Sequence, residues 1–101
     1  HPVMELPPFR IERENIAVSI TLEVFEEDGR KVCGIYKLDG MVNLPPKLWL
    51  RTVRAEVDKL ERIARDAGCA EMRIAGRDWS RILPGYEALP SLPNGLRKAL
   101  I

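Results

Sequence analysis

Residues 16–25, IAVSITLEVF, alternate without a break: Ile16, Val18, Ile20, Leu22 and Val24 point one way, Ala17, Ser19, Thr21 and Glu23 the other. Only an extended strand turns a period of two into a single apolar face. The next five residues, EEDGR, hold Asp28-Gly29, a two-residue turn signal in which both positions must accept positive φ. Residues 31–38, KVCGIYKL, then form the return strand. Closing the chain on Asp28-Gly29 sets Val24 opposite Cys33 and Leu22 opposite Ile35. It also sets Glu27 against Arg30 and Glu26 against Lys31, two opposite-charge pairs that favour this register. Phe25, Val32, Tyr36 and Leu38 fall on the other face, so the hairpin is apolar on both sides and its second face needs a cover, from a helix or from another chain.

Asp39-Gly40 ends the hairpin, residues 41–44 form a linker, and Pro45-Pro46 opens a helix, where proline is well placed. Trp49, Val53, Val57, Leu60, Ala64 and Ala67 make one apolar stripe at helical spacing, widened by Leu50 and Ile63. Asp58–Arg62 and Glu61–Arg65 are i,i+4 charge pairs on the opposite face. Gly68 stops this helix, expected over 47–67, as a left-handed cap. Residues 69–75, CAEMRIA, follow as a strand with Ala70, Met72 and Ile74 facing the core. One residue between helix and strand makes a βαβ crossover, so this strand should lie parallel to the hairpin's second strand. Asp78 can cap a short helix over 79–83. Residues 86–95 are loop, and 96–101, LRKALI, close the sheet. Upstream, residues 1–15 form an extended arm: Pro7-Pro8 blocks helix, and Phe9 and Ile11 suit a short edge strand. His1-Pro2-Val3 reads as a cloning remnant or as part of a longer native arm. The expectation is therefore one α/β (α+β) domain over 16–101, in the order β-β-α-β-α-β. Its sheet should be mixed and mostly antiparallel, with a long helix packed on it.

Composition narrows the function classes. The 101 residues are 46% hydrophobic and 31% charged, an ordinary globular balance for a single domain. Sixteen Lys and Arg stand against 15 Asp and Glu, for a net charge of +1. A nucleic-acid binder shows a basic excess or stripe, and this chain has neither. No apolar run approaches the roughly 20 residues that span a bilayer, so neither nucleic acid nor membrane is an expected partner. Cys33, Cys69 and His1 are too few and too scattered for a zinc site. Two lone cysteines read as buried thiols in a reducing compartment. No basic-then-apolar leader is visible, which makes the expected location cytoplasmic.

The segments AGCAEMRIAGRDWSRILPGYE (67–87) and GLRKALI (95–101), in this element order, resemble the C-terminal two thirds of the GNAT N-acetyltransferase fold. The stretch G-C-x-E-x-R-I-x-G-R-x-W-x-R-x-L-P-G-Y is similar to small acetyltransferase-like proteins of tailed phages and prophages. Working members of that family bind the acetyl-CoA pyrophosphate with a Q/R-x-x-G-x-G/A turn at the start of the long helix. The corresponding stretch here, Asn43-Leu44-Pro45-Pro46-Lys47-Leu48-Trp49, has no glycine and two residues without an N–H. The family's first strand and first two helices are also absent, unless residues 1–15 supply a fragment of them.

The resemblance therefore implies a truncated GNAT-like protein of phage or prophage origin, without catalysis and without a cofactor. It would serve as an interaction or structural protein, with a protein partner, a second copy or a place in a virion. Its interface candidates are Phe25, Val32, Tyr36, Leu38 and Trp79. The alternative is an active N-acetyltransferase with an atypical acetyl-CoA cleft beside the long helix, built from Tyr36, Lys37, Leu38, Lys47 and Leu48. No catalytic residue is assigned. Tyr86 falls where the family has a structural aromatic, and Cys33 has no histidine to activate it. Arg73, Arg77 and Arg81 lie among Glu71 and Asp78 as a salt-bridged surface, and Trp49 belongs to the helix stripe.

Overall fold

The Asp28-Gly29 turn forms with both residues at positive φ, 53° and 75°, and it joins two long strands, β3 (Ile16–Glu27) and β4 (Arg30–Val42). The computed structural model describes residues 3–5, 9–76 and 78–101; for residues 3–5, 9, 13, 36–39, 41 and 42 it describes the backbone alone. His1-Pro2, Pro7-Pro8 and Arg77 lie outside the described residues. Two N-terminal segments, β1 (Val3–Glu5) and β2 (Phe9–Arg13), both pair antiparallel with β3 along the same edge. The helix α1 (Pro46–Asp66) follows β4 and leads to β5 (Glu71–Ile74), β6 (Glu87–Ala88) and β7 (Leu96–Ala99). The strand order is β1-β3-β4-β5-β7-β6, with β2 beside β3. Among the described strands only β4 and β5 run parallel, so the fold is α+β with a mixed sheet.

The expected register holds from Glu27↔Arg30 to Leu22↔Ile35 and then shifts between Thr21 and Leu22, where Thr21 pairs with Lys37. Tyr36 is the extra residue of a β-bulge. Beyond it, Leu38 stands opposite Ile20 and Gly40 opposite Val18. The bulge carries Leu38 from the second face to a register position on the core face. It also lets β4 run on through Val42, past the expected hairpin end at Asp39-Gly40 and into the expected linker. Gly40 has φ +142°, and a Cβ built there would lie 2.0 Å from the Ala17 carbonyl oxygen, so glycine alone fits.

One core cluster joins Ile16, Val18, Ile20 and Leu22 of β3 and Cys33 and Ile35 of β4 to Met72 and Ile74 of β5. Leu60 and Ala64 of α1 and the later Trp79, Leu83, Leu96 and Leu100 belong to the same cluster. The end of α1 is sealed: the Gly68 amide bonds to the Arg65 carbonyl and the Cys69 amide to the Ala64 carbonyl, 2.9 Å away, the paired bonds of a Schellman cap. Lys31 donates to the Ala67 carbonyl at 2.6 Å.

Several expectations need correction. Residues 79–83 form a turn, not a helix: Ile82 and Leu83 both donate to the Trp79 carbonyl, and Leu83 is followed directly by Pro84. Asp78 still caps that turn, accepting from the Ser80 amide and hydroxyl at 3.0 and 2.6 Å. The expected loop at 86–95 contains β6. Ile63 is 43% exposed and does not widen the buried stripe. Glu61, placed on the solvent face by its charge, is 5% exposed. Lys31 also serves the helix end and Glu27 also reaches Arg73, while Glu26 stands opposite Lys31 and Glu27 opposite Arg30 as expected, with the Arg30 charge helping to lower the Glu27 carboxyl.

Candidate functional site

At the turn end of the hairpin, the second face of the sheet is covered by side chains of the chain itself. Arg73 of β5 bonds through Nε to Glu71 and through its terminal nitrogens to Glu27 at the end of β3. Its guanidinium lies 5.6 Å from the centroid of the Phe25 ring, at cation–π distance. Arg30 approaches Glu71 at 3.7 Å. Beneath this lattice Val32 is 2% exposed, and Phe25 is half-buried. A cover was required, and charged side chains with long apolar stems provide it. The hydrogen bond from Arg73 holds the Glu27 carboxyl below its ordinary range. The same bond, with Glu71, holds Arg73 more firmly protonated.

This changes the interface candidates. Val32 is buried inside the chain. Trp79 is 7% exposed, with its ring near-parallel to that of Trp49 at 6.3 Å between centroids, so it packs inward and is no surface anchor. Leu38 sits at a core-face register position. Phe25 remains half-exposed under Arg73. The side chains of Tyr36, Lys37 and Leu38 lie outside the described residues.

Tyr86 and the two cysteines, the acid and nucleophile candidates of the sequence, are hydrogen-bonded or buried. Tyr86 donates its hydroxyl to Glu61 at 2.7 Å, and Lys98 donates to the other Glu61 oxygen at 2.9 Å while lying over the Tyr86 ring. Burial, then the Glu61 carboxylate, pushes the Tyr86 hydroxyl well above its ordinary value. Cys33 and Cys69 are free and buried. Burial, and then the neighbouring Cys69, pushes the Cys33 thiol up to about 12, and burial also raises Cys69. A thiol held protonated is a poor nucleophile. Among the described residues no group of three His, Cys, Asp or Glu gathers to hold a metal ion. No helix of the described chain is long and apolar enough to cross a membrane.

The start of α1 corresponds, on the acetyltransferase resemblance alone, to the stretch where that family holds an acyl-CoA pyrophosphate. Pro45 is the N-cap residue, with no side-chain cap, and Pro46 is the first helical residue. The Trp49 amide already bonds to the Pro45 carbonyl at 2.8 Å. Helix geometry then leaves the amides of Lys47 and Leu48 for an anion at this end. Both residues are exposed, and the first turn offers no glycine and no further free backbone amide. A pyrophosphate cradle is built from several converging amides, and these residues do not fit that group.

Between the first half of α1 and the core face of the sheet lies a cleft of about 400 Å³. Ile16, Val18 and Ile35 floor it, Val53 and Val57 form one wall, and the two tryptophans stand at its side. It explains why Trp49, Val53 and Val57 are only half-buried while Leu60 and Ala64 are fully buried. The helix stripe is continuous in sequence, but only Leu60 and Ala64 of it are buried in the core cluster, while Trp49, Val53 and Val57 pack against that cluster partly buried. The sequence carries no sign of the hollow.

A scan against protein-family models, a search of curated proteins and a search of solved structures each return no match.

Proposed function

We propose that this chain is an acetyltransferase-like domain without transferase chemistry, acting as an interaction or structural protein of the tailed-phage kind its sequence resembles. The observation that carries the reading is the start of α1, where Pro45 and Pro46 stand in place of amide donors. The engaged Tyr86 hydroxyl and the buried thiols support it further. Leu48, 44% exposed, and Ile63 offer apolar contact points on the outside of α1 for a protein partner or a second copy.

One observation favours the alternative, an acyl-CoA-dependent N-acetyltransferase. The parallel ladder ends at Ile35↔Ile74, while β4 runs on to Val42. The two strands therefore part beside Tyr36, Lys37 and Leu38, where an extended thioester arm could lie along the backbone.

Calorimetric titration with acetyl-CoA at millimolar concentration separates the two. No saturable heat and no thermal shift is the expected result. Saturable binding, with acetyl transfer to any amine, overturns the proposal. Sedimentation velocity at micromolar protein, repeated on a Leu48→Lys, Ile63→Lys double variant, tests the second copy as partner.

A further inference from the structure

Beyond that reading, we propose that the cleft under the first half of α1 is a binding site for a small, neutral, apolar molecule with a bulky aliphatic or cyclic carbon skeleton. The argument starts from size. About 400 Å³ lies within the range of small-molecule pockets, and it is far more than side-chain repacking leaves in a close-packed interior. The second step is the wall. Ile11, Ile16, Val18 and Ile20 on the sheet face Val53 and Val57 on the helix, and Ile74, Trp79 and Leu83 complete the lining. Thr52 and Glu56 bring polar side chains among the described lining residues. Glu56 is bridged to Lys59 at 3.2 Å, so among the described lining residues the one charged side chain is matched by its own neighbour. An ionic ligand would lose its hydration and find no counter-charge.

The third step concerns water. Buried water needs two to four polar partners, and apolar hollows instead take up neutral apolar molecules. A ligand here covers apolar surface on Val53, Val57 and Trp49 that the fold leaves half-exposed, and the gain scales with that area. A rounded skeleton matches the branched side chains on the two broad walls.

The chain reports on this site directly. Trp49 and Trp79 are its only tryptophans, and both line the cleft. The experiment is a tryptophan-emission titration of the full chain with three probes sharing one skeleton: 1-adamantanol, adamantane-1-carboxylate and 1-adamantylammonium. The expected result is a saturable change with the neutral alcohol and a raised thermal midpoint, with binding at least tenfold weaker for both ions. Val57→Phe fills the cleft from the helix side. It should raise the thermal midpoint and abolish the response to the alcohol. A linear, non-saturating response to the alcohol overturns the proposal, as does equal or tighter binding of either ion. So does unchanged titration of a folded Val57→Phe variant. A concentration-dependent dimer that Val57→Phe dissolves also overturns it, since a second copy would then occupy the cleft. None of these probes is a thioester or a nucleotide, so failure here is separable from failure of the acetyl-CoA test.

Discussion

Gly40 sits inside β4, at a place where the bulge at Tyr36 brings the strand tightly onto β3. Its φ of +142° and the 2.0 Å approach to the Ala17 oxygen leave no room for a methyl group. Gly40→Ala should therefore destabilise the chain by about 2–4 kcal/mol, from backbone strain and displacement of β3 together. Gly29 is the control. Its φ is +75°, but nothing lies within 4 Å of a Cβ there, so Gly29→Ala should cost only about 1 kcal/mol. Urea unfolding followed by circular dichroism compares the two, and equal costs would refute the close-approach argument. The thiols give a second residue-scale test. Native Cys33 and Cys69 should resist a disulfide exchange reagent at pH 8 and react at once when urea unfolds the chain. Because Cys33 keeps its proton in the folded state up to about 12, folding is favoured fully below the ordinary thiol value of 9.0. That contribution is lost as pH rises from there toward 12, where the unfolded chain ionises first. The alkaline slope of stability should flatten in Cys33→Ala.

At the scale of elements, Glu61 fastens α1 to the C-terminal part of the sheet by accepting from Tyr86 and from Lys98 of β7. Glu61→Ala leaves both donors without their acceptor and should cost about 2–3 kcal/mol in urea unfolding. The low end is favoured because Lys98 is one-third exposed and water replaces part of the loss. Glu61→Gln keeps an acceptor for Tyr86 and should recover about half. A Glu61→Ala variant as stable as the parent would mean that this contact holds nothing. The glutamate also shows what was legible in the sequence and what was not. The alternation of residues 16–25, the Asp28-Gly29 turn, the helix stripe and Gly68 are local patterns with one physical meaning each, and they gave the hairpin, α1 and the parallel β5. Glu61 reads by its charge as solvent-facing. Its partners lie 25 and 37 residues away, and no local pattern encodes them. The bulge at Tyr36 is hidden for a related reason: KVCGIYKL alternates acceptably in either register, and only the crowding at Gly40 and the pairing beyond it decide. The turn at 79–83 had a good cap but too few residues before Pro84, and β6, with two residues, is shorter than any periodicity can show. For the candidate site, the two residues without an N–H at the start of α1 were visible directly as Pro45-Pro46, whereas the cleft was not. A hollow is a property of the distance between elements, and an apolar stripe looks the same whether it is filled or faced by empty space.

At the scale of the whole molecule, packing is uneven from one end of the sheet to the other. The radius of gyration of 13.4 Å is ordinary for about 100 residues, so the chain as a whole is not loose. Yet Leu60, Ala64, Cys69, Met72, Leu22 and Cys33 are tightly enclosed, while the cleft opens beneath Trp49, Val53 and Val57. Local opening costs least where few apolar contacts are broken. The first three turns of α1 should therefore unfold away from the sheet without disturbing the rest. Native-state hydrogen exchange tests this along one helix. Amides at residues 60–66 should exchange with β4 and β5 in the global unfolding event. Those at 50–57 should exchange at least tenfold faster, a difference of roughly 1.4 kcal/mol. Filling the cleft with Val57→Phe should slow the faster set toward the slower one and leave the slower set governed by global stability. Uniform protection along α1 would show that the hollow does not weaken the helix above it. The site would then be a rigid pocket, and occupancy would change tryptophan emission without changing the dynamics of α1.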